Sequence, residues 1–426
     1  MPEDAQDAIL NFPKDFMWGA STSAYQVEGG NHNQWSVWEL ANASELAKHA
    51  QHKYGHLPKW DEIKHQAQKP ENYVSGKGID HYHRYEDDFK LLKKLNLNSY
   101  RFGIEWSRLE PEEGQWDETE IAHYRSYIEK LKEMDIEPVL NIWHWTVPVW
   151  FEELGGFKKG ANLKYFDRLV HKLADEYGHL IRYVITLNEP NNFATFGYWL
   201  AAWPPQEKNA ISMARVYINM VRVHKRAYKI LKTKHPEMQV GIANQLANIQ
   251  AKRPHNFFDE LSTKMMRYLW NWWFHRRIRK QQDFVGFNYY FTDYYTGVFL
   301  REDPKIPLSD LGWYMEPEGL YPLLLRIWAR YKKPIIITEN GVADADDEYR
   351  RWWIEESIVA MQRALSEGVK IKGYFHWSLL DNFEWADGWW PRFGLVEVDR
   401  EHGMERKIRP SAKWFAERIE KLSTTK

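Results

Sequence analysis

The stretch Pro334-Ile335-Ile336-Ile337-Thr338-Glu339 decides the fold: four apolar residues in a row, then a hydroxyl and a carboxylate. A strand with one wet face alternates apolar and polar residues. This run does not, so both of its faces are predicted to be buried, as in a parallel sheet. The same texture recurs at Phe16–Ser21, Ser99–Trp106, Pro138–Trp145, Tyr183–Asn188, Val240–Asn244, Phe284–Tyr290 and Ile371–Trp377, which makes eight runs in all. Longer amphipathic segments separate them. In Tyr85–Leu95 the residues Phe89, Leu92 and Leu95 fall three apart with Lys and Asp on the other side; Leu163–Tyr177 and Glu355–Leu365 read similarly. Eight strands alternating with helices predict an α/β chain closed into a single (β/α)8 TIM barrel rather than an open sheet. Such barrels reach beyond roughly 400 residues when they carry insertions. The 426 residues are therefore read as one catalytic domain, 1–426, with a polar loop insert at about 41–78 that is a candidate lid.

Charge is balanced, with 58 Lys and Arg against 59 Asp and Glu. A nucleic-acid protein normally carries a basic excess, so nucleic acid is not expected as a partner. No run approaches the ~18–20 apolar residues of a membrane span, and the balanced charge gives no reason to sit on an anionic membrane. There is no Cys, which excludes disulfides, thiolate metal sites and a Cys nucleophile. With the polar start Met1-Pro-Glu-Asp-Ala-Gln-Asp7, this fits a cytoplasmic protein. Sugar rings stack on indole, so 23 Trp are compatible with carbohydrate binding, although a large aromatic core is the simpler account of them.

Barrel strands carry chemistry at their C-terminal ends. Polar groups gather there: Arg101, His144, Glu189, Asn244, Tyr290, Glu339 and Trp377. Two of the runs end in carboxylates, Thr186-Leu-Asn-Glu189 and Thr338-Glu339. Glycosidic bond cleavage uses such a pair. One acid protonates the leaving oxygen while the other carboxylate attacks the anomeric carbon or activates water. Attack requires carboxyls about 5–5.5 Å apart and inversion about 6.5–9.5 Å, a choice the spacing in sequence leaves open. A nucleophile has to stay ionised; Arg101 is a candidate cation for it and the Tyr290 hydroxyl a candidate donor.

The chain resembles the glycoside hydrolase family 1 β-glycosidases from about Phe12 to Trp414. The matching blocks are Phe12–Gly29, Tyr100–Arg108, Leu187-Asn188-Glu189-Pro190, Asp283–Tyr290, Ile337–Gly341 and His376–Trp385. The resemblance implies a retaining exo-β-glycosidase without cofactor or metal, acting through a covalent glycosyl-enzyme on a small-molecule glycoside or oligosaccharide. Glu189 is carried over as acid/base and Glu339 as nucleophile. Gln26, His144, Asn188, Glu384 and Trp385 are expected to bind sugar hydroxyls, Trp377 to stack on the ring and Phe393 to wall the pocket. Arg101, Asn288 and Tyr290 are expected to orient the nucleophile. Glu384 would repel a phosphate, so an unphosphorylated sugar is expected, glucose first, with galactose, fucose and mannose types open. A transglycosylase and a catalytically silent carbohydrate-binding barrel are the alternatives. The oligomeric state is not legible.

The chain departs from the family pattern at Thr146, where Asp is frequent, and at Tyr268–Lys280, which replaces the usual loop on the leaving-group side. His81 and His83 lie two apart and point to opposite sides of a helix, which does not suit a metal. The basic run Arg276–Lys280 reads as a solvated helix end.

Overall fold

The computed structural model describes residues 12–297, 299–301 and 305–424. Eight parallel strands close into a barrel in chain order: β1 (Met17–Ser21), β2 (Ser99–Gly103), β3 (Glu137–Asn141), β4 (Tyr183–Asn188), β5 (Gln239–Gln245), β6 (Val285–Tyr289), β7 (Ile335–Asn340) and β8 (Ile371–Trp377). Closure sets Met17 opposite Gly373 and Ser21 opposite Trp377. Each strand falls on one of the eight apolar runs. The barrel interior is plugged by one inward side chain from most strands: Met17, Val139, Ile185, Ala243, Ile336 and Phe375, with Phe284 just before β6.

The ladders slip at several points, two of them below the strand ends that carry the carboxylates. The register breaks between Ile185 and Asn188 on β4, and between Ile337 and Glu339 on β7. A register break re-aims the side chains beyond it. Both strand-end carboxylates lie beyond such a break.

Helices cover the outside, and their starts are set by local chemistry. Asp117, Asn209 and Asn256 each accept two backbone N–H groups at the starts of helices Glu118–Glu133, Ala210–Lys234 and Phe257–Arg267. Helix Leu163–Tyr177 has the predicted bounds, helix His81–Lys94 starts four residues before the predicted Tyr85, and Glu355–Leu365 lies inside helix Arg350–Ser366. The insert at 41–78 is not a loop. Helix Gln34–Tyr54 runs into it, and helix Trp60–Ala67 and a turn at Pro70–Tyr73 follow. The buried stripe of the first helix is Ala43, Ala47, Ala50 and Tyr54, spaced four, three and four apart. Three alanines give that stripe little hydrophobic signal, so the polar face dominates the sequence. Among the described residues no helix is long and apolar enough to cross a membrane.

Candidate active site

β4 delivers Glu189 through a sharp turn. Glu189 has left-handed backbone angles (φ 44, ψ 57), and Pro190, which has no N–H to leave unpaired, opens helix Pro190–Tyr198. The Glu189 N–H donates to Ala243 O at 2.6 Å, and its carbonyl accepts from Phe193 N at 3.1 Å. A non-glycine residue in this conformation costs roughly 1–3 kcal/mol, which the surrounding bonds offset. On β7, Asn340 fixes the strand end after Glu339. Its amide donates to Tyr289 O at 2.8 Å, and its oxygen accepts from Trp353, Ser357 and Tyr374 at 2.9, 3.0 and 2.9 Å. Gly341 is required next, because a Cβ there would stand 1.9 Å from Trp377 O.

The two carboxylates have different partners. Arg101 of β2 donates to Glu339 Oε1 and, at 2.7 Å, to Asn188 Oδ1. The Tyr290 hydroxyl donates to Glu339 Oε2 at 2.5 Å. Glu189 has amides only: Asn288 Nδ2 donates to Oε1 at 2.8 Å and Asn192 Nδ2 to Oε2 at 2.7 Å. Asn288 thus stands between the carboxylates. It also donates to Asn188, accepts from Thr338 at 2.6 Å, and helps to lower the Glu339 pKa.

Both carboxylates are buried, and burial raises the pKa of each. For Glu189 the nearby negative charge of Glu339 adds to burial and takes the pKa to about 8. For Glu339 the Arg101 charge and the Tyr290 hydroxyl pull the other way. The environment therefore separates a proton-holding group from an ion-holding one.

The remaining expected residues divide into pocket walls and supports. His144, Tyr290, Trp377, Glu384, Trp385 and Phe393 line one pocket of about 610 Å³ with Glu189 and Glu339. Arg101, Asn188 and Asn288 lie behind the carboxylates. Gln26 is fully buried and turned to the protein, donating to Phe383 O at 2.7 Å and accepting from Ser23 at 2.7 Å. Burial, and Arg101 after it, hold His144 neutral, with each ring nitrogen 3.0 Å from an Asn amide, Asn141 on one side and Asn188 on the other. Glu384 Oε1 accepts from Asn382 at 2.7 Å and Trp377 at 3.3 Å, and burial raises its pKa to about 8. The loop that carries Glu384 and Phe393 is tied down by a buried ion pair: Asp381 accepts from Arg409 at 3.1 and 3.0 Å and from Gly394 N at 2.9 Å. Among the described residues no cluster of three or more His, Asp or Glu is placed to hold a metal. His81 is buried against Asp88 and Tyr127, and His83 faces out against Asp80.

The glycosyl hydrolase family 1 model matches residues 9–279 and 275–423. The chain belongs to this family. It is similar to beta-glucosidase A of Acetivibrio thermocellus, 29% identical with 96% of this chain and 98% of that protein covered. Among solved structures, a beta-glycosidase from Pyrococcus horikoshii superposes with TM-score 0.83 at 31% identity, covering 98% of this chain and 99% of the other. A beta-glucosidase from Thermotoga maritima in complex with glucoimidazole gives 0.85 at 26% identity, covering 97% and 99%. This family 1 chain is thus a glycoside hydrolase of the β-glucosidase type, and retention of configuration is the family's mechanism.

The outer half of the family 1 pocket was not legible from the motifs. Trp38 and Leu46 come from helix Gln34–Tyr54, Trp270 from the helical turn Tyr268–Trp272, and Trp203, Phe291 and Trp313 from loops. Asn192 and Gln245 also line it, Gln245 accepting from the Trp270 indole. Asn192 had one sequence signal, its place three residues after Glu189. Thr146 turns away to bond Glu105 at 2.9 Å. Asn244 is fully buried and does not line the pocket, unlike its neighbour Gln245.

Proposed function

We propose that this protein is a retaining exo-β-glucosidase in which Glu339 is the nucleophile and Glu189 the general acid/base. The observation that carries the assignment is the unequal bonding of the two carboxylates, a cation and a phenol on Glu339 against two amides on Glu189. In the first step a Glu339 oxygen bonds to the anomeric carbon as the bond to the leaving oxygen breaks. That oxygen takes the Glu189 proton. The ester removes the Glu339 charge, which lowers the Glu189 pKa, so Glu189 can take a proton from water. The water oxygen bonds to the anomeric carbon and Glu339 leaves as carboxylate. Two inversions give net retention.

The glycone is an unphosphorylated glucose-type sugar. Glu384, at the pocket wall, can hydrogen-bond sugar hydroxyls and offers a phosphate no counter-charge, and His144, Trp377 and Trp385 supply a neutral ring and two indoles for hydroxyls and ring faces. The aglycone is apolar, a reading supported by Trp38, Leu46, Trp203, Phe291 and Trp313 in the outer pocket. The presence of both carboxylates in one pocket speaks against a catalytically silent barrel. A panel of aryl and alkyl β-glycosides, with the first-formed anomer followed by proton NMR, tests this reading. β-Glucose released first, and faster from alkyl glucosides than from cellobiose, supports it. α-Glucose released first, or no hydrolysis of any β-glycoside, refutes it.

A further inference from the structure

A second cavity, of about 750 Å³, opens on the outside of the barrel between helices Phe257–Arg267 and Leu320–Tyr331. Its lining carries six cations, Lys264, Arg267, Arg276, Arg279, Arg326 and Arg330, against one carboxylate, Glu260. The whole chain is formally −1, so this is a strong local concentration of charge. Among the described residues none of the six has a carboxylate within 4.0 Å. Elsewhere on the same surface arginines do find one: Arg226 pairs with Asp167, Arg125 with Glu176 and Arg253 with Asp259.

Four of these cations are held in place by groups that do not neutralise them. Arg267 donates to Ile249 O at 2.5 Å and Arg326 to Asn248 Oδ1 at 3.1 Å. The Arg330 guanidinium lies over the Trp272 ring at 4.5 Å and that of Arg276 over Tyr268 at 5.8 Å. Stacking on Trp272 leaves the Arg330 N–H fork free and fixes its plane, the geometry that grips an oxyanion with two bonds at once, while Arg276 also donates to the Tyr268 hydroxyl at 3.5 Å. Crowding like charges without a counter-charge costs stability that a bound anion would recover. The predicted solvated helix end at Arg276–Lys280 is, for Arg276 and Arg279, the wall of this cavity.

We propose that this cavity binds a multiply charged phosphate group, a phosphomonoester or diphosphate, whose organic part rests on Phe257 and Leu261. Phe257 and Leu261 line the cavity and are 71% and 55% exposed, which leaves an apolar shelf beside the cationic floor. The site is separate from the sugar pocket, yet it shares one helical turn with it. In Tyr268–Trp272, Tyr268 and Trp272 face the cavity, while Trp270 lines the catalytic pocket.

The test uses the full chain in about 0.15 M salt, where diffuse attraction is screened. Calorimetric titration with sodium pyrophosphate is expected to give saturable one-site binding. The double variant Arg326→Gln/Arg330→Gln is expected to weaken it at least tenfold with aryl glucosidase activity unchanged. Arg276→Gln, at an exposed position, gives a second reading if the double variant does not fold. Co-sedimentation with phosphatidylcholine vesicles containing phosphatidic acid separates the two sources of the anion. Vesicle binding that pyrophosphate displaces assigns a lipid headgroup; pyrophosphate binding without vesicle binding assigns a soluble phosphate. Neither kind of binding, or binding that the variants leave unchanged, overturns the proposal.

Discussion

Tyr290 donates its hydroxyl to Glu339 Oε2 at 2.5 Å, from the residue that follows β6 to the residue next to the end of β7. Arg101 holds the other oxygen, so the carboxylate is gripped at both ends. A hydrogen bond to a charged group contributes about 1.5–3 kcal/mol, so Tyr290→Phe should lower kcat/KM roughly ten- to a hundredfold. The lost donor was one of the groups lowering the Glu339 pKa. The acid limb of the pH profile on an aryl β-glucoside should therefore move to higher pH.

The Glu189 pKa of about 8 sets the other limb. kcat/KM should fall above about pH 8 as the acid loses its proton, and Glu189→Gln should lose that limb. The stability effect has a definite sign. The folded pKa is raised, so the folded state holds a proton that the unfolded chain releases near the ordinary 4.5, and the associated stability is lost as pH rises from there through about 8. Glu189→Gln should therefore gain stability over the parent at pH 9 and not at pH 4, measured by urea unfolding at both.

Trp270 sits on the replaced 268–280 segment and lines the outer pocket. Trp270→Ala should lower kcat/KM for a long-chain alkyl β-glucoside by about tenfold, since uncovering roughly two buried CH2 groups of the chain costs about 1.6 kcal/mol. Methyl β-glucoside, too short to reach it, should be hydrolysed as before.

Asp381 and Arg409 form a buried, two-pronged ion pair under the loop that carries Glu384. Breaking such a pair by removing one partner costs about 3–5 kcal/mol. Arg409→Met should lower the unfolding midpoint accordingly and raise KM for the glucoside more than it changes kcat, as Glu384 loses its support.

The barrel was legible because each strand is buried on both faces, so hydrophobicity alone marks it; Ile335-Ile336-Ile337 is the plainest case. Glu189 and Glu339 were legible as a pair: one carboxylate ending such a strand is as often a loop entry, but two at one mouth with amide and aromatic neighbours point to a site. The helical insert was not, since the stripe Ala43, Ala47 and Ala50 carries almost no signal against its polar partners. The outer wall was hidden for a different reason. Trp203, Trp270 and Trp313 lie on separate segments far apart in sequence, and only closure of the barrel brings them to one mouth. Asn288 was expected beside Glu339; it pairs with Glu339 across the β6–β7 ladder, and its bond to Glu189 as well could not be read from the sequence.

The division of labour between the two carboxylates is tested most directly by azide rescue of Glu189→Ala and Glu339→Ala on an activated aryl β-glucoside, with the glucosyl azide identified by NMR. Glu189→Ala should still form the glucosyl-enzyme, and azide should open it to give the β-azide. Glu339→Ala cannot form that ester, so azide should attack directly and give only the α-azide. The β-azide from Glu339→Ala, or the α-azide from Glu189→Ala, would contradict the assignment.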